Sequence, residues 1–266
     1  MTDPRTLLVT GSGRGIGRAV SLLAAERGYR VVGIDIDEES ANSTADAVRA
    51  GGGEGHAFAC DVSRPTEISG LIRDIEREVA PIDVLVNNAA RGSHTAPEEI
   101  TPEEWHAVID VSLGSMVFAS QAVGRSMIAR EAGGAIVNLS SIGGLASLGR
   151  GNYAYSIAKS GIIALTRDLA VEWAPYGIRV NAVAPSQVNT EGFRDLVDAP
   201  DVAHGQALGH ALRGIPLGRL AEPEEVASVI LFLAGPDASF VTGATLPVDG
   251  GSMALHAGGS LRDPRR

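Results

Sequence analysis

The feature that most constrains this fold is a glycine-rich turn between the first apolar segment of the chain and its first helical segment. Residues 6–9 are a short apolar run typical of a buried parallel strand, and residues 15–27 carry apolar side chains at helical spacing. Between them the chain reads Thr10-Gly11-Ser12-Gly13-Arg14-Gly15-Ile16-Gly17. Glycines in such a turn let the backbone approach a pyrophosphate, with the N-terminus of the helix facing the phosphates. The turn therefore predicts a dinucleotide site.

The rest of the chain continues the alternation of strand and helix. Strands are predicted at residues 30–35, 57–60, 84–86, 135–139, 179–183 and 245–248. Helices are predicted at residues 38–50, 65–79, 102–130 and 222–233, with one more that carries Tyr155 and runs to about 173. This alternation predicts an α/β fold, a doubly wound parallel sheet (Rossmann fold) with right-handed βαβ crossovers. Polar residues that follow the strands should converge at one edge of the sheet, where such folds bind ligands.

Two segments fall outside the alternation. Residues 186–220 contain several glycines and prolines and predict a mobile substrate lid over the active edge. Residues 256–266 are polar and predict a loose tail or a subunit contact. We therefore expect a single domain over residues 1–255, followed by the tail.

A second motif places a phenol and an amine one helical turn apart. Tyr155 and Lys159 are four residues apart, so they share one face of their helix. A nearby positive charge favours the phenolate and should lower the Tyr pKa from its usual value of about 10. On its own, this spacing also fits a solvated pair on a helix surface. Beside a dinucleotide site, it predicts proton transfer coupled to hydride transfer.

The glycine spacing T-G-x-x-x-G-x-G, the Tyr155/Lys159 pair and the sequence Val248-Asp249-Gly250-Gly251 together resemble the short-chain dehydrogenase/reductase family over residues 5–251. The resemblance implies that Tyr155 is the general acid/base and that Lys159 lowers its pKa and binds the nicotinamide ribose. Ser141, the second serine after the fifth strand, matches the serine that orients the substrate oxygen. The family is commonly tetrameric, which implies a homotetramer here.

Ser112 departs from the family pattern, which has Asn at this position. The local sequence is Asp110-Val111-Ser112-Leu113-Gly114. In the family, the main chain at this Asn holds a water that relays protons from the lysine. Either the backbone carbonyl suffices and Ser112 is an adequate polar neighbour, or the relay is weakened and the pocket has been reshaped.

The cofactor residues follow from the turn and from the resemblance. Asp35, at the end of the second strand, can accept hydrogen bonds from an adenosine ribose and would repel a 2′-phosphate, which favours NAD over NADP. Arg14 is either a phosphate contact or a surface residue, and Asp61 either contacts the adenine or caps a helix. Ser186 stands where the family has Gly, which predicts a displaced loop beside the nicotinamide. The full set of expected cofactor residues is Gly11, Arg14, Gly15, Ile16, Gly17, Asp35, Asp61, Val62, Asn87, Ala89, Tyr155, Lys159, Pro185, Val188 and Thr190.

Composition excludes several other classes. The net charge of −10 argues against nucleic-acid or anionic-membrane partners. The single cysteine, Cys60, is expected as a small core residue at a buried strand end. The six histidines lack metal-ligand spacing, so no metal is expected. No signal peptide and no apolar run near ~18 residues are evident, which predicts a soluble cytoplasmic protein.

We therefore predict an NAD-dependent oxidoreductase that interconverts a small-molecule secondary alcohol and a ketone. The alternative is a dinucleotide-sensing or scaffolding protein that has lost turnover, for which Ser112 and Ser186 are the support. A dehydratase or epimerase is disfavoured, because those relatives usually carry an added substrate domain. Substrate choice is expected to depend on loop residues after the strands: Arg91, His94, Leu148, Arg150, Asn152 and Gln187.

Overall fold

Parallel strands form the centre of the structure, a computed structural model that describes residues 3–147, 149, 151–197, 212 and 214–255. Within these residues, seven strands make one sheet in the order β3-β2-β1-β4-β5-β6-β7, and every neighbouring pair is parallel. The strands are β1 (Thr6–Thr10), β2 (Arg30–Asp35), β3 (Gly55–Ala59), β4 (Val84–Asn87), β5 (Gly134–Leu139), β6 (Ile178–Pro185) and β7 (Thr245–Val248). The predicted doubly wound parallel sheet is confirmed.

Helices cover both faces of the sheet, because alternate residues of each buried strand point to opposite faces. In the described part of the chain, the α-helices are α1 (Gly15–Glu26), α2 (Glu38–Ala50), α3 (Pro65–Glu78), α4 (Pro102–Ile109), α5 (Ser115–Ala129), α6 (Tyr153–Trp173), α7 (Glu191–Val197) and α8 (Pro223–Ala234). Leu7 belongs to the core layer that holds Val20 of α1 and Ile230 of α8. Leu8, the next residue, belongs to the layer on the other face, with Ile72 of α3 among its members.

The strand order reverses between β1 and β4, which are neighbours in the sheet although two strands separate them in sequence. A crevice opens at such a switch point beyond the carboxyl ends of the strands. The glycine turn follows β1, and Asn88 follows β4. The topology therefore brings these two loops together at the edge where a ligand is expected.

The predicted helix over residues 102–130 contains an interruption. Thr101 caps its start as expected, with its hydroxyl accepting a hydrogen bond from Glu104 N. Asp110–Gly114 then forms a π-helical turn, which adds a residue to the turn, separates α4 from α5 and places Ser112 in the core. Apolar periodicity continues across such a turn, so the sequence pattern did not reveal it.

The same stretch corrects the expectation that no apolar segment approaches the length of a membrane span. Pro102–Ala129 is long and apolar enough to cross a membrane by those two criteria alone, and nearly half of the qualifying window is buried inside the protein. Met116, Val123 and Met127 of α5 are fully buried, and the last two belong to the core layer against the sheet. The apolar character is accounted for by this packing.

The lid region is described in part. Its described residues include a helix that the sequence did not predict, α7, which begins at Glu191 directly after the loop that follows β6. Residues 198–211 and 213 of the proposed lid lie outside the described residues. The proposed tail over residues 256–266 does so as well.

Candidate active site

The glycine turn after β1 has a geometry that only glycine accommodates at key positions. Gly11 has φ +67°, and a Cβ there would lie 2.9 Å from Asn88 Nδ2 and 3.0 Å from Ala89 Cα. A Cβ on Gly17 would lie 1.9 Å from the carbonyl oxygen of Gly11. The first turn of α1 therefore sits directly on the glycine turn, with its free N–H groups at the sheet edge.

Asn88 holds the glycine turn against the loop after β4. Its side-chain amide donates to the carbonyl oxygens of Thr10 and Gly11, both at 2.9 Å. In return, the Thr10 hydroxyl accepts hydrogen bonds from the backbone N–H groups of Asn88 at 3.0 Å and Ala89 at 3.2 Å. Sequence reasoning assigned a role to Asn87 and overlooked Asn88, although the paired asparagines were a visible signal.

Asp35 supports the turn from the side of β2. Its Oδ2 accepts a hydrogen bond from Gly13 N at 2.8 Å, and its Oδ1 accepts one from Asp37 N at 3.1 Å. Thr44 of α2 adds a hydrogen bond from its hydroxyl to Ser12 O at 3.1 Å. Each carboxylate oxygen has two lone pairs, so Asp35 retains acceptor capacity toward a ligand.

A cavity of about 390 Å³ lies beside this turn. Of the expected cofactor residues, it is lined by Gly11, Arg14, Gly15, Ile16, Asp35, Asp61, Val62, Ala89 and Thr190. Residues that the sequence did not single out also line it: Ile36, Cys60, Asn88, Ala90, Val111, Glu191 and Gly192. The bare glycine backbone, the helix N-terminus and the carboxylate of Asp35 together fit a dinucleotide.

Several expected cofactor residues do not line this cavity. Gly17 supports the turn from behind, and Pro185 and Val188 are buried at and after the end of β6. Asn87 is buried inside the protein, where its amide donates to Asn138 Oδ1 at 2.8 Å and to Ser120 Oγ at 2.9 Å. The Asn87 side chain therefore packs between strands, and the cofactor contact expected of this residue stays a prediction.

Asp61 lies before α3, whose N-cap is Arg64, so the helix-capping alternative is wrong and the adenine contact stays a prediction. Its Oδ1 accepts hydrogen bonds from the Ser63 hydroxyl at 2.7 Å and from Ser63 N at 3.0 Å, and these lower the pKa of the carboxyl. These hydrogen bonds close the turn before α3, and the same residue lines the cavity. Neighbouring Cys60 is partly exposed and lies just past β3, so its expected place at a buried strand end was wrong. Burial first, and then the charge of Glu67, raise the pKa of its thiol to about 11, which leaves it unreactive.

Ser141, Tyr155 and Lys159 meet where β5 ends and α6 begins. The Ser141 hydroxyl is hydrogen-bonded to the Tyr155 phenol and accepts a hydrogen bond from Gly143 N at 3.1 Å. Lys159 is only 2% exposed, and its Nζ donates to the carbonyl oxygen of Leu139 at 2.6 Å. That Nζ lies 5.4 Å from the centre of the Tyr155 ring. The three side chains predicted to act together therefore do lie together.

Burial changes the proton affinities of this group. It raises the pKa of the Tyr155 phenol, and the hydrogen bond with Ser141 opposes that rise. Burial also lowers the pKa of Lys159 to about 7. The expectation that Lys159 lowers the Tyr155 pKa is therefore wrong for this structure, because an amine this well buried carries only part of a charge at neutral pH.

The Ser112 side chain is hydrogen-bonded to the loop that follows β4. Its hydroxyl donates to Arg91 O and accepts from Arg91 N, both at 2.9 Å, and its side chain is fully buried. These contacts favour the first of the two interpretations, in which Ser112 is an adequate polar neighbour. It therefore holds the backbone of the loop at Arg91.

Ser112→Asn is therefore expected to change kcat by no more than about threefold, because an amide keeps both a donor and an acceptor for Arg91. Ser112→Ala should lower the free energy of unfolding by about 1–3 kcal/mol, since it removes two part-buried hydrogen bonds to the backbone of Arg91. Steady-state kinetics and urea unfolding measure the two effects. A rise in activity by orders of magnitude in Ser112→Asn would show that the relay is impaired in the native chain.

The expected substrate-side residues are placed on loops that touch each other. Gly151 has φ +74°, and a Cβ there would lie 2.3 Å from the carbonyl oxygen of His94. His94 and Arg91 are exposed, and Asn152 and Gln187 are partly exposed. Leu148 and Arg150 lie outside the described residues. Ser186 has no left-handed backbone and its N–H donates to Val248 O at 3.1 Å, so it extends the pairing of β6 with β7 instead of being displaced.

No group of three or more His, Cys, Asp or Glu side chains in the described part of the chain could hold a metal ion.

Comparison with known proteins gives a consistent result. Residues 11–253 match the protein family described as "Enoyl-(Acyl carrier protein) reductase". The chain is 37% identical over 254 residues to the 3-oxoacyl-[acyl-carrier-protein] reductase FabG of Vibrio cholerae, covering 95% of this chain and 99% of that one. It is 34% identical over 249 residues to the D-threitol dehydrogenase of Mycolicibacterium smegmatis, covering 94% and 93%. A crystal structure of an actinorhodin polyketide ketoreductase variant with NADPH has a TM-score of 0.88 at 33% identity, covering 95% and 98%.

Proposed function

The chain belongs to the short-chain dehydrogenase/reductase family, and on this premise we propose that it is an NAD-dependent oxidoreductase that interconverts a secondary alcohol and a ketone. The proposal is supported by the meeting of Ser141, Tyr155 and Lys159 at the same sheet edge as the cavity beside the glycine turn. The test is whether oxidation of a secondary alcohol forms one equivalent of NADH per ketone, and whether Tyr155→Phe abolishes this reaction. A sensing protein without turnover would bind NAD and release none.

A bound nicotinamide would accept the hydride in oxidation and supply it in reduction. The protein residues handle the proton and the oxygen. Ser141 donates a hydrogen bond to the substrate oxygen and stabilises the charge that develops there. Tyr155 takes the hydroxyl proton in oxidation as the phenolate, and as the phenol it gives its proton to the oxygen in reduction. Lys159, with a pKa of about 7, can take up and release a proton at neutral pH, and so can exchange protons with the Tyr155 phenol.

NAD is favoured over NADP by the charges at the adenosine end of the cavity. Asp35 lines the cavity, the exposed Ile36 follows it, and Asp37 caps α2 two residues later. A 2′-phosphate would bring two negative charges close to these carboxylates and would lack a basic partner on the same strand end. The ketoreductase relative was solved with NADPH, so the preference of this chain has to be measured and not transferred.

Asp35→Asn is expected to move the ratio of kcat/KM for NADP over NAD toward NADP by about tenfold or more, because it removes the repulsion and keeps an acceptor for Gly13 N. Asp37→Asn is the matched control: it neutralises a neighbouring acid outside the cavity lining, and asparagine caps a helix as well as aspartate does. An unchanged ratio in Asp35→Asn, or an equal change in both variants, would contradict the assignment of Asp35.

The homotetramer and the cytoplasmic location stay predictions. Light scattering of the purified protein measures the first.

A further inference from the structure

Two neighbouring residues of β5 and the turn after it hold the two ends of Lys159. Leu139 accepts the hydrogen bond from Lys159 Nζ at 2.6 Å, as described above. The next residue, Ser140, donates its hydroxyl to the backbone carbonyl of Lys159 at 2.8 Å. Ser140 is only 3% exposed, so this hydroxyl is withdrawn from water. Both the amine and the peptide of Lys159 are therefore tied to the end of β5.

Gly144 packs against the same peptide from the turn that follows. A Cβ on Gly144 would lie 2.6 Å from the carbonyl oxygen of Lys159, 2.7 Å from its carbonyl carbon and 2.7 Å from Ser140 Oγ. Those distances are far inside normal contact, and two of the three atoms belong to the backbone. The Ser140 hydroxyl and the bare backbone of Gly144 thus form one seat, on which the Lys159 peptide rests.

A buried polar chain continues the attachment along α6. Asn138 Nδ2 donates to Thr166 Oγ1 at 3.0 Å, and the Thr166 hydroxyl donates to Ile162 O at 2.7 Å. Thr166 is two helical turns after Lys159, on the same face of α6. Three consecutive residues therefore fix the position and rotation of this helix: Asn138 and Leu139 at the end of β5, and Ser140 directly after it.

We propose that Ser140 is a positioning residue for the reaction: together with Gly144, it seats the Lys159 peptide and thereby sets where Tyr155 and Lys159 stand relative to Ser141. Ser141 is the next residue and is extended (φ −163°, ψ 161°), so the two serine side chains leave the chain on opposite sides. Ser141 meets the reacting end of α6, and Ser140 meets its backbone. The inference rests on the proposed function, since it concerns the geometry of that site.

Ser140→Ala tests the seat, with Ser160→Ala as the matched control. Ser160 is the next residue of α6 and is exposed; its hydroxyl donates to Gly144 O at 3.0 Å, whereas the hydroxyl that donates to the Lys159 carbonyl is that of Ser140. Displacement of a reacting group by a fraction of an ångström is costly, so Ser140→Ala should lower kcat about 10- to 100-fold with each KM within about threefold. Ser160→Ala should stay within about twofold of the native kcat. Equal kcat values in the two variants would overturn the proposal.

A second measurement needs neither substrate nor turnover. Lys159 is the only lysine among the 266 residues, so a chain labelled with [13Cε]-lysine gives one side-chain resonance. We expect this resonance to titrate near pH 7 in the native protein and in Ser160→Ala. In Ser140→Ala the pKa should rise toward the ordinary value, because a loosened seat admits water to the amine. A Ser140→Ala titration that coincides with that of Ser160→Ala would overturn the proposal even if the enzyme turned over.

The two measurements separate the two claims. A native protein that turns over nothing, while the lysine titration of Ser140→Ala shifts, contradicts the proposed function and leaves the seat supported. A native protein that turns over, with Ser140→Ala matching Ser160→Ala in both assays, contradicts the seat alone.

Discussion

Tyr155→Phe is expected to lower kcat by about 10²- to 10⁴-fold, which is the usual contribution of a general acid/base. The change removes one oxygen atom, the one that is hydrogen-bonded to Ser141. The glycine turn and Asp35, which would hold the dinucleotide, are untouched. The Kd for NAD, measured by fluorescence, should therefore stay within about threefold of the native value.

Tyr153→Phe is the matched control for this experiment. Tyr153 lies two residues earlier, in the same first turn of α6, and its hydroxyl reaches only Pro97 O at 3.5 Å. We expect its kcat to stay within about threefold of the native value. Equal losses in the two variants would show that the first turn of α6 had been disturbed as a whole and that Tyr155 has no special role.

Lys159→Met is expected to lose turnover and gain stability. Methionine has a similar length and is apolar, so it fills the site without bringing a charge into it. With the folded pKa near 7 and an ordinary value of 10.5, the native amine lowers the free energy of unfolding by about 5 kcal/mol once it is charged. The lost hydrogen bond to Leu139 O offsets only about 1 kcal/mol of that gain.

The pH dependence of the stability difference between the native protein and Lys159→Met shows whether the charge of Lys159 causes that difference. A lowered lysine pKa means that the unfolded chain binds more protons than the folded one between about pH 7 and 10.5, so native stability rises with pH over that range. The advantage of Lys159→Met should be largest at and below pH 7 and should shrink toward pH 10. Urea unfolding of both proteins at pH 6.5 and 9.5 measures this advantage. The contributions of the other titratable groups are the same in both proteins and cancel in the difference. A difference that does not change with pH would exclude the charge of Lys159 as its origin.

The fold was largely predictable because its signals are local. Short apolar runs bounded by glycine, such as the one before Gly11, mark buried parallel strands, and the cap at Thr101 marks the start of α4. The π-helical turn at Asp110–Gly114 left no such mark, because one added residue does not interrupt the apolar pattern. The start of α7 was also missed, since its sequence resembles the irregular segment around it.

The site was predictable where a motif names the residue, and less so where the role depends on the environment. Spacing and resemblance were enough to select Ser141, Tyr155 and Lys159, which the structure places together. The direction of the Tyr155 pKa was wrong, because sequence spacing shows that two groups are close but not how dry their surroundings are. Asn88 and Glu191 were missed for a related reason, since their presence at the cavity depends on how separate loops meet.

The most direct test of the central claim is nicotinamide absorbance during incubation of the native protein with a panel of secondary alcohols and ketones, using NAD(H) and NADP(H) in parallel. We expect at least one alcohol to be oxidised, with one equivalent of NADH formed per ketone and a faster rate with NAD than with NADP. A folded protein that binds NAD but neither reduces NAD nor oxidises NADH with any compound of a broad panel would contradict this function. Conversion of a substrate with no net change in the nicotinamide would contradict it as well and would point to a dehydratase or an epimerase.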